Sequence, residues 1–315
     1  MIRLFCVYFD ERPVWRSDCI EPIQAGRART GLKLDMIGDD TGDSISAENL
    51  RYGEMTAWYW VWKNWLPAHP EADRIGFCHY RRFLDYGNLA KKKLRTTYRK
   101  FKRVFARYYN QAEIGRATAG FDIVMRRPQD CKAPTPRAEF VKGHPLNAAD
   151  WDRFEQVVRE RNPDAAAAID AALSTPLLAQ ELQFVMKRDV FEHFMEWTFG
   201  VCRECERRAP WGGESEGPRA RTPAFLIERF FMVWLAVRRR DPAFRVKELS
   251  LVKLTGRREE VKTYERYSGW RNGRKEFTAA QMRAKHPETM IEEAVWGMLP
   301  KNNIARKMMT RLKIF

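Results

Sequence analysis

Apolar and polar positions alternate along the chain in blocks that predict an α/β fold. Met1 to Phe9 is close to continuously apolar, which is typical of a strand buried on both faces of a mostly parallel sheet. The short apolar run Ile75 to Cys78 predicts a second buried strand, and Phe121 to Met125 predicts a third. Further strands are predicted at Leu32 to Ile37, Leu182 to Met186 and Phe244 to Leu254.

Apolar residues spaced three and four positions apart predict helices between these strands. One series runs from Met55 to Leu66, with Ser46 or Asn49 as its N-cap and Pro67 at its end. Other helices are predicted to start at Asn147, Asp189 and Thr222. Strands that alternate with helices predict a single open α/β sheet flanked by helices.

Polar side chains collect where the central predicted strand ends. His79, Tyr80, Arg81 and Arg82 follow Cys78 at once. Ligands of open α/β sheets bind beyond the carboxyl ends of the strands, where loops aim side chains from a rigid platform. Two arginines beside a histidine suit an anionic, oxygen-rich ligand, because the guanidinium fork matches phosphate. The plain alternative is a solvated loop.

Three other segments carry charges that need an explanation. The loop Gly38 to Ser46 contains three aspartates, and the glycine-rich segment Gly212 to Pro218 is a candidate lid. Glu228 and Arg229 interrupt an apolar helix, where an unpaired charge would cost several kcal/mol. Either both residues are ionised and form structural ion pairs with partners, or Glu228 points into a cleft as a functional carboxylate.

Basic residues outnumber acidic ones, with 57 Lys and Arg against 41 Asp and Glu and a formal net charge of +16. Such a charge attracts nucleic acid, anionic lipid or phosphorylated substrates without choosing among them. Lys91 to Arg107 holds nine basic residues and no acid above an apolar stripe, and Ile304 to Phe315 is a second basic amphipathic segment. The first segment is expected to lie on a membrane surface or to dock on the core as a solvated helix.

The N-terminus lacks the charged and apolar pattern of a secretory signal, so the six cysteines are expected to be reduced thiols. Cys202 and Cys205 form a CxxC with no second pair, which favours core-facing helical residues over a zinc site. The longest apolar run, Phe230 to Val237, is far shorter than the about 20 residues needed to span a bilayer. We therefore expect a cytoplasmic protein that is peripheral at the inner face of the membrane.

Five segments together resemble a family of bacterial proteins of initially unknown function. They read GDDTGDSISAENLRYGEMTAWYWVWKN, RIGFCHYRRF, FDIVM, QFVMKRDVFEHFMEW and TPAFLIERFFMVWL. Members of that family are typically assigned as glycosyltransferases of capsular, exopolysaccharide or O-antigen gene clusters, and some are linked to galactofuranose transfer. The resemblance implies a GT-A-like (Rossmann-like) domain at residues 1–254, followed by a basic, mostly helical extension at residues 255–315.

The same resemblance implies a sugar transferred from a nucleotide donor, UDP-linked in our expectation, to a lipid-linked glycan. The matching positions imply catalytic roles for Glu228, Asp43 and Glu54, and donor-binding roles for His79, Tyr80, Arg81, Arg82, Asp40, Asn49, Lys63 and Arg229. The chain departs from the family at Ser44 and Gln183, which puts in question only the geometry of the donor pocket.

A metal cofactor is not predicted with certainty, because the chain has no Asp-x-Asp motif at the usual place. Asp40, Asp43 and Asp85 are the candidate ligands for Mn²⁺ or Mg²⁺. We expect arginine and histidine to supply most of the neutralising charge instead, so that turnover tolerates chelation.

Two other classes of function stay open. The basic and aromatic residues of Lys91 to Tyr109 would suit a nucleic-acid-binding protein, although no nucleic-acid module motif is recognised and no specific nucleic acid is expected. A non-catalytic assembly factor of a polysaccharide complex would keep the fold and lose the site.

Overall fold

Strand β1 (Ile2–Tyr8) is buried along nearly its whole length, because it lies between two parallel neighbours in a sheet that is covered on both faces. Phe5 and Val7 pack into the hydrophobic cluster on one face, whereas Leu4 and Cys6 pack into the cluster on the other. A strand of this kind needs apolar residues at successive positions, which explains its continuous apolar sequence.

The computed structural model describes residues 1–89, 95–143, 148–211, 218–255, 263–267, 274–285, 287–300 and 302–312. By its internal contacts the chain divides into two compact units, Met1–Leu254 and Thr255–Phe315.

Ten strands of the described residues form one sheet, in which the order β11-β7-β10-β4-β1-β2-β3 is extended by β5, β12 and β6. Their bounds are β1 (Ile2–Tyr8), β2 (Ile20–Gln24), β3 (Ile37–Gly38), β4 (Arg74–His79), β5 (Arg82–Leu84), β6 (Arg95–Thr97), β7 (Ile123–Arg126), β10 (Phe184–Lys187), β11 (Val246–Leu249) and β12 (Leu251–Thr255). Along this order β10 is antiparallel to both of its neighbours, and the other neighbouring pairs are parallel. Strands β8 (Gln129–Asp130) and β9 (Leu177–Leu178) form a separate pair.

Helices cover the sheet and confirm the predicted fold class of a mostly parallel sheet flanked by helices. Those of the first unit are α1 (Asn49–Tyr52), α2 (Met55–Trp60), α3 (Leu66–Ala68), α4 (Tyr98–Tyr108), α5 (Gln111–Thr118), α6 (Pro136–Gly143), α7 (Ala148–Arg161), α8 (Ala166–Ser174), α9 (Arg188–Arg208) and α10 (Thr222–Arg238). A π-helical turn, Val61–Trp65, joins α2 to α3.

The central strand β4 packs so closely that one position in it requires glycine. A Cβ atom built on Gly76 would lie 2.7 Å from the carbonyl oxygen of Phe184 and 2.9 Å from side-chain atoms of Leu4 and Val185. Because the first of these contacts is with backbone, a side chain at this position would force β4 and β10 apart.

Several predicted elements differ from the structure. The strand expected at Leu32 to Ile37 is wrong, because only Ile37 lies in a strand, as the first residue of β3. Strand β2 was not predicted, because Glu21 and Pro22 interrupt its apolar pattern. Ser46 and Asn49 do not cap a helix, because their side chains bond to Asp39 and to the Gly53 carbonyl instead.

Two helix starts also differ. Helix α9 begins at Arg188, so Asp189 lies inside its first turn and is not its cap. Within the described part of the basic segment Lys91 to Arg107, Arg95–Thr97 forms a strand and the helix begins at Tyr98. Residues 90–94, the predicted cap Asn147 and residues 212–217 of the candidate lid lie outside the described residues.

The apolar face of α4 is occupied by the protein itself. Phe101 and Phe105 are buried, with ring centroids 5.1 Å and 4.9 Å from that of Trp15. This packing favours the docked helix over one that inserts its apolar face into lipid. The basic side chains of α4 stay exposed on the other face: Arg99, Lys100, Lys102, Arg103 and Arg107.

All six cysteines lie in the described part of the chain and are free thiols. Cys202 and Cys205 are buried in the core on one face of α9, which confirms that they are core-facing helical residues.

The second unit contains a β-hairpin and three helices among its described residues. The hairpin pairs β13 (Thr263–Tyr267) with β14 (Arg274–Thr278), and the helices are α11 (Ala279–Lys285), α12 (Pro287–Met298) and α13 (Asn303–Met309). Large apolar side chains stand exposed on the last two helices at Ile291, Met298, Ile304 and Met308. Across the described residues of both units, no helix combines the length and the apolar character needed to cross a membrane.

Candidate active site

Charged residues meet at the carboxyl end of β4. This strand ends at His79, and β5 turns back beside it, with Arg82 paired to His79. Strand β7 ends at Arg126, while β10 runs the opposite way and begins at Phe184, opposite Phe77 of β4 and Met125 of β7. The topology therefore gathers the residues just before β10 and the end of β7 beside the start of β5.

Three cations from three strands surround one carboxylate at this edge. The Glu181 carboxylate lies 3.0 Å from a guanidinium nitrogen of Arg82 and 3.4 Å from one of Arg126, and it also contacts the ammonium group of Lys253. Burial works against ionisation of Glu181, but the hydrogen bond from Lys253 and the charge of Arg82 lower its pKa below the ordinary value. We call Arg82, Arg126, Lys253 and Glu181 the edge cluster.

Arg126 is the most buried cation of the edge cluster, and its hydrogen-bonding capacity is only partly used. Its side chain is 5% exposed, and Nη2 donates to Gln129 Oε1 at 2.5 Å. The Nε and Nη1 atoms form no hydrogen bond among the described residues, and neither does Gln183 Oε1. Buried donors of this kind are usually satisfied by a partner, so this edge has unused capacity for an oxygen-rich ligand.

Two further carboxyl groups are electrostatically coupled to the edge cluster. Glu228 Oε1 accepts a hydrogen bond from the backbone N–H of Glu181 at 3.2 Å. Burial raises the pKa of Glu228, although the nearby charge of Arg229 opposes the shift. Burial and the charge of Glu228 together raise the pKa of Glu54 to about 7, against the charges of Arg82 and Arg221. Perturbed carboxyl groups of this kind are typical of catalytic sites.

His79 lies at the same edge as a neutral side chain. It is buried against the rings of Phe9 and Tyr80, and burial followed by the charges of Arg82 and Arg81 lowers its pKa to about 3. The expectation that His79 adds positive charge is therefore not supported. A neutral imidazole can still hydrogen-bond a ligand, and its Nδ1 atom has no partner among the described residues.

The other two residues of the HYRR motif differ in their surroundings. Tyr80 is buried and stacks on Tyr8, with ring centroids 5.7 Å apart. Arg81 is exposed, with its guanidinium carbon 5.8 Å from the centroid of the Tyr80 ring. Of the two arginines, only Arg82 thus belongs to the edge cluster, while the Arg81 side chain is exposed to solvent.

The Asp39 carboxylate fixes the loop that leads to Glu54. It is fully buried and accepts four hydrogen bonds, from the Gly26 N–H at 2.8 Å, the Arg27 N–H at 3.1 Å, the Ser46 hydroxyl at 2.5 Å and the Thr56 hydroxyl at 2.6 Å. The Thr56 hydroxyl also lies 3.1 Å from the carbonyl oxygen of Gly53, the residue before Glu54. Asp39 therefore has a structural role that positions Glu54 at the edge.

The acids that follow Asp39 in the same loop lie in other surroundings. Asp40 pairs with Lys33 at 3.0 Å, and the exposed Asp43 accepts a hydrogen bond from the Tyr59 hydroxyl at 2.9 Å. Within the described contacts, neither carboxylate pairs with a member of the edge cluster.

Three predicted donor-binding residues have structural contacts of their own. Asn49 donates to the Gly53 carbonyl at 2.6 Å, and the Lys63 ammonium lies 3.5 Å from the centroid of the Trp62 ring. Arg229 is buried, pairs with Glu139 at 2.6 Å and donates to the Phe225 carbonyl at 2.9 Å. The guanidinium of Arg229 therefore has a structural role, whereas Glu228 faces the edge cluster.

Sequence reasoning missed four residues of this region: Glu181, Arg126, Lys253 and Arg221. A signal was present for Arg126, because it is the first polar residue after the predicted strand FDIVM, as His79 is after its own strand. Glu181 carried no signal, since its place depends on a backbone φ of 55° and on a tertiary contact.

The metal question stays a prediction. Among the residues that the structure describes, no group of three or more His, Cys, Asp and Glu side chains is placed to hold a metal ion. Asp85, one of the candidate ligands, is buried and accepts a hydrogen bond from the Leu89 N–H at 2.7 Å.

A cavity of about 410 Å³ lies at the opposite end of strand β4 from the edge cluster. Its lining includes Arg74, the first residue of β4, and Lys187, the last residue of β10. In open α/β sheets ligands bind beyond the carboxyl ends of the strands, so we assign the candidate site to the edge cluster and not to this cavity.

A family model described as Domain of unknown function (DUF4422) matches residues 3–239. The chain belongs to the DUF4422 family. All the residues discussed above at the carboxyl end of β4 lie within the matched range except Lys253. The description of DUF4422 states no activity.

Most of the chain shares its fold with a solved glycosyltransferase. The apo structure of the bifunctional glycosyltransferase WbbM is similar with a TM-score of 0.73 and 24% sequence identity, over 81% of this chain and 45% of that chain. The chain thus spans less than half of WbbM. At this identity the likeness shows a common fold.

The C-terminal part is similar to a different protein. A model described as Ribosomal protein L13 matches residues 246–315. The large ribosomal subunit protein uL13 of Deinococcus radiodurans is 50% identical over 64 residues, which are 20% of this chain and 37% of uL13. For uL13 of Opitutus terrae the identity is 50% and for that of Synechocystis 45%, over 45% and 42% of those proteins. The chain spans less than half the length of these curated relatives.

The raised pKa of Glu54 predicts a pH-dependent loss of stability. A carboxyl group whose pKa is higher in the folded state destabilises the fold as pH rises through the interval from its ordinary 4.5 to about 7. The free energy of unfolding of Glu54→Gln, relative to that of the wild type, should therefore increase by about 1 to 3 kcal/mol from pH 5 to pH 8. Denaturant titration at both pH values measures this difference.

The matched control is Glu113→Gln, which removes a carboxylate paired with Arg116 on α5. A gain for Glu54→Gln that is the same at both pH values, or equal to that of the control, would contradict the assignment.

Proposed function

We propose that residues 1–254 form a glycosyltransferase that moves a sugar from a UDP-linked donor to a lipid-linked glycan in cell-surface polysaccharide synthesis. One observation supports the proposal most strongly: cations and pKa-shifted carboxyl groups converge at the carboxyl end of β4, in a fold shared with a bifunctional glycosyltransferase. A nucleotide sugar carries the anionic diphosphate and the neutral sugar that such a mixed site would suit.

The cations would stabilise the leaving diphosphate. Negative charge grows on this group as the glycosidic bond breaks, and preorganised donors aimed at it lower the barrier more than they tighten ground-state binding. Arg82 and Arg126 are held by strands β5 and β7, which fixes their positions before the ligand arrives. We propose that these side chains perform most of the neutralisation that Mn²⁺ or Mg²⁺ would otherwise supply.

The carboxyl pair Glu54 and Glu228 would handle the acceptor hydroxyl. A general base works best with a pKa near the operating pH, and the pKa of Glu54 is about 7. Because the charge of Glu228 disfavours ionisation of Glu54, one member can stay protonated while the other accepts a proton. Asp43, held by Tyr59 at the surface, ranks behind this pair.

The exposed basic face of α4 suits an anionic membrane. Its apolar residues are occupied by Trp15 and neighbouring rings, so attraction would be by charge and without insertion. We propose that this face holds the enzyme at the inner surface of the membrane that carries the lipid-linked acceptor.

A second function is proposed for the C-terminal unit. Its identity of up to 50% to uL13 proteins over 64 residues favours binding of structured RNA. Residues 255–315 contain 14 Lys and Arg against 7 Glu, and Arg306, Lys307 and Arg311 are exposed on and after α13. Such a basic surface is the electrostatic footprint of a nucleic-acid-binding protein. It counts against the expectation that no nucleic acid is bound.

Two substitutions should separate donor binding from proton transfer. Arg82→Ala should weaken UDP binding about 10- to 100-fold, because it removes charge-assisted hydrogen bonds of about 1.5 to 3 kcal/mol. Glu228→Gln keeps an oxygen that can accept from the Glu181 N–H, so UDP should bind almost normally while single-turnover transfer falls about 100-fold or more. Calorimetry with UDP and single-turnover transfer to a lipid-linked acceptor analogue are the two measurements.

Arg116→Ala is the control for Arg82→Ala, since it also frees a carboxylate from a salt bridge. If folded Arg82→Ala binds UDP like the wild type, the edge cluster is not the donor site. A lower melting temperature with normal turnover in Glu228→Gln would assign Glu228 a structural role.

Two triple variants of equal charge change should separate membrane from RNA binding. Arg99→Gln, Lys102→Gln and Arg103→Gln on α4 should weaken sedimentation with anionic vesicles about 100-fold, at about 1 kcal/mol per charge. Arg306→Gln, Lys307→Gln and Arg311→Gln should instead weaken binding of a structured ribosomal RNA fragment and flatten its salt dependence. Equal effects of both variants on both ligands would mean that the net charge, and not either surface, governs binding.

A further inference from the structure

We propose that Arg82, Arg126 and Lys253 form a subsite for a phosphate or diphosphate group, and that the Glu181 carboxylate occupies this subsite until the ligand displaces it. The identity of the molecule that carries the phosphate rests on the proposed function. The anion chemistry does not, because it follows from the contacts of the edge cluster.

The three cations offer more hydrogen bonds than one carboxylate can take. Each guanidinium has five N–H donors and an ammonium group has three, whereas Glu181 has two oxygens. Two nitrogens of Arg126, Nε and Nη1, have no hydrogen-bond partner among the described residues, although the side chain is 5% exposed. Glu181 Oε2 has none either, so the ion pairs of the edge cluster leave these donors without a well-aligned acceptor. A phosphate group brings three or four acceptor oxygens to the same space and would satisfy donors that Glu181 leaves unused.

Glu181 is the partner that can move. Arg82, Arg126 and Lys253 lie on strands of the large sheet, whereas Glu181 lies in the short connection between β9 and β10. Its φ of 55° is a left-handed conformation that is unfavourable for a residue with a side chain, and the side chain is 28% exposed. Ion pairing to the three cations holds it there, so a competing anion needs to turn only this one side chain towards solvent.

The connection between β9 and β10 also links the subsite to Glu228 of the carboxyl pair. The backbone N–H of Glu181 donates to Glu228, so movement of the Glu181 segment changes the hydrogen bonding of that carboxylate. Binding of a diphosphate would in this way be sensed at the residue proposed to act on the acceptor.

The test is the affinity of inorganic pyrophosphate for the full chain, measured by calorimetry. Glu181→Gln should bind pyrophosphate about 10-fold more tightly than the wild type, because the ligand no longer competes with a resident carboxylate. Arg126→Met should bind it about 10-fold more weakly, and the gain from Glu181→Gln should shrink when the two changes are combined. Glu113→Gln is the matched control, since that carboxylate is 26% exposed and lies 2.7 Å from Arg116.

Glu181→Gly serves as the second variant, because it removes the carboxylate and also relieves the positive φ. Unchanged or weaker pyrophosphate binding in both Glu181 variants, with melting temperatures that show a folded protein, would overturn the proposal. So would a gain in Glu113→Gln equal to that in Glu181→Gln.

Pyrophosphate contains neither nucleoside nor sugar, so this result is independent of glycosyl transfer. Parallel titrations with UDP and with farnesyl diphosphate then distinguish a nucleotide from a lipid carrier. Tighter binding of UDP assigns the subsite to the donor, and tighter binding of farnesyl diphosphate assigns it to the lipid-linked acceptor.

Discussion

The structure depends on the neutralisation of cations that the sheet brings together at one edge. Three positive side chains at the boundary of a low-dielectric interior would repel one another and lose hydration if they were left alone. Glu181 compensates them, and Glu54 and Glu228 lie near enough for the charge of Arg82 to oppose the rise in their pKa values that burial causes. The carboxylate that stabilises this edge without ligand therefore occupies the position that an anionic ligand would take.

The rest of the first unit holds this edge in place. Burial of β1 and β4 on both faces fixes the sheet, and the close approach at Gly76 fixes β10 against β4. The Asp39 carboxylate performs the same task for the loop before α2, since its four hydrogen bonds position the turn that carries Glu54. Lys253 joins the edge from a stretch that matches ribosomal protein L13, because β12 pairs with β5 of the large sheet.

The sequence predicted the sheet better than it predicted the site. Strands buried on both faces, such as β1 and β4, are predicted from their continuous apolar runs. Strand β2 was not predicted, because Pro22 interrupts its apolar run. The helix caps were predicted wrongly, because the Ser46 side chain bonds to Asp39 and the Asn49 side chain to the Gly53 carbonyl, which the helical pattern does not indicate. Arg82 was found from a strand end and Glu228 from a charge in apolar surroundings, whereas Glu54 was found from the family resemblance. Glu181 was not, because its importance lies in the three distant residues that it contacts.

The most direct test is a crystal structure of the full chain with UDP bound. The account predicts the diphosphate within hydrogen-bond distance of Arg82, Arg126 and Lys253, with the Glu181 side chain turned away from them towards solvent. A nucleotide bound elsewhere, for example in the cavity beside Arg74 and Lys187, with Glu181 still paired to its three cations, would contradict it.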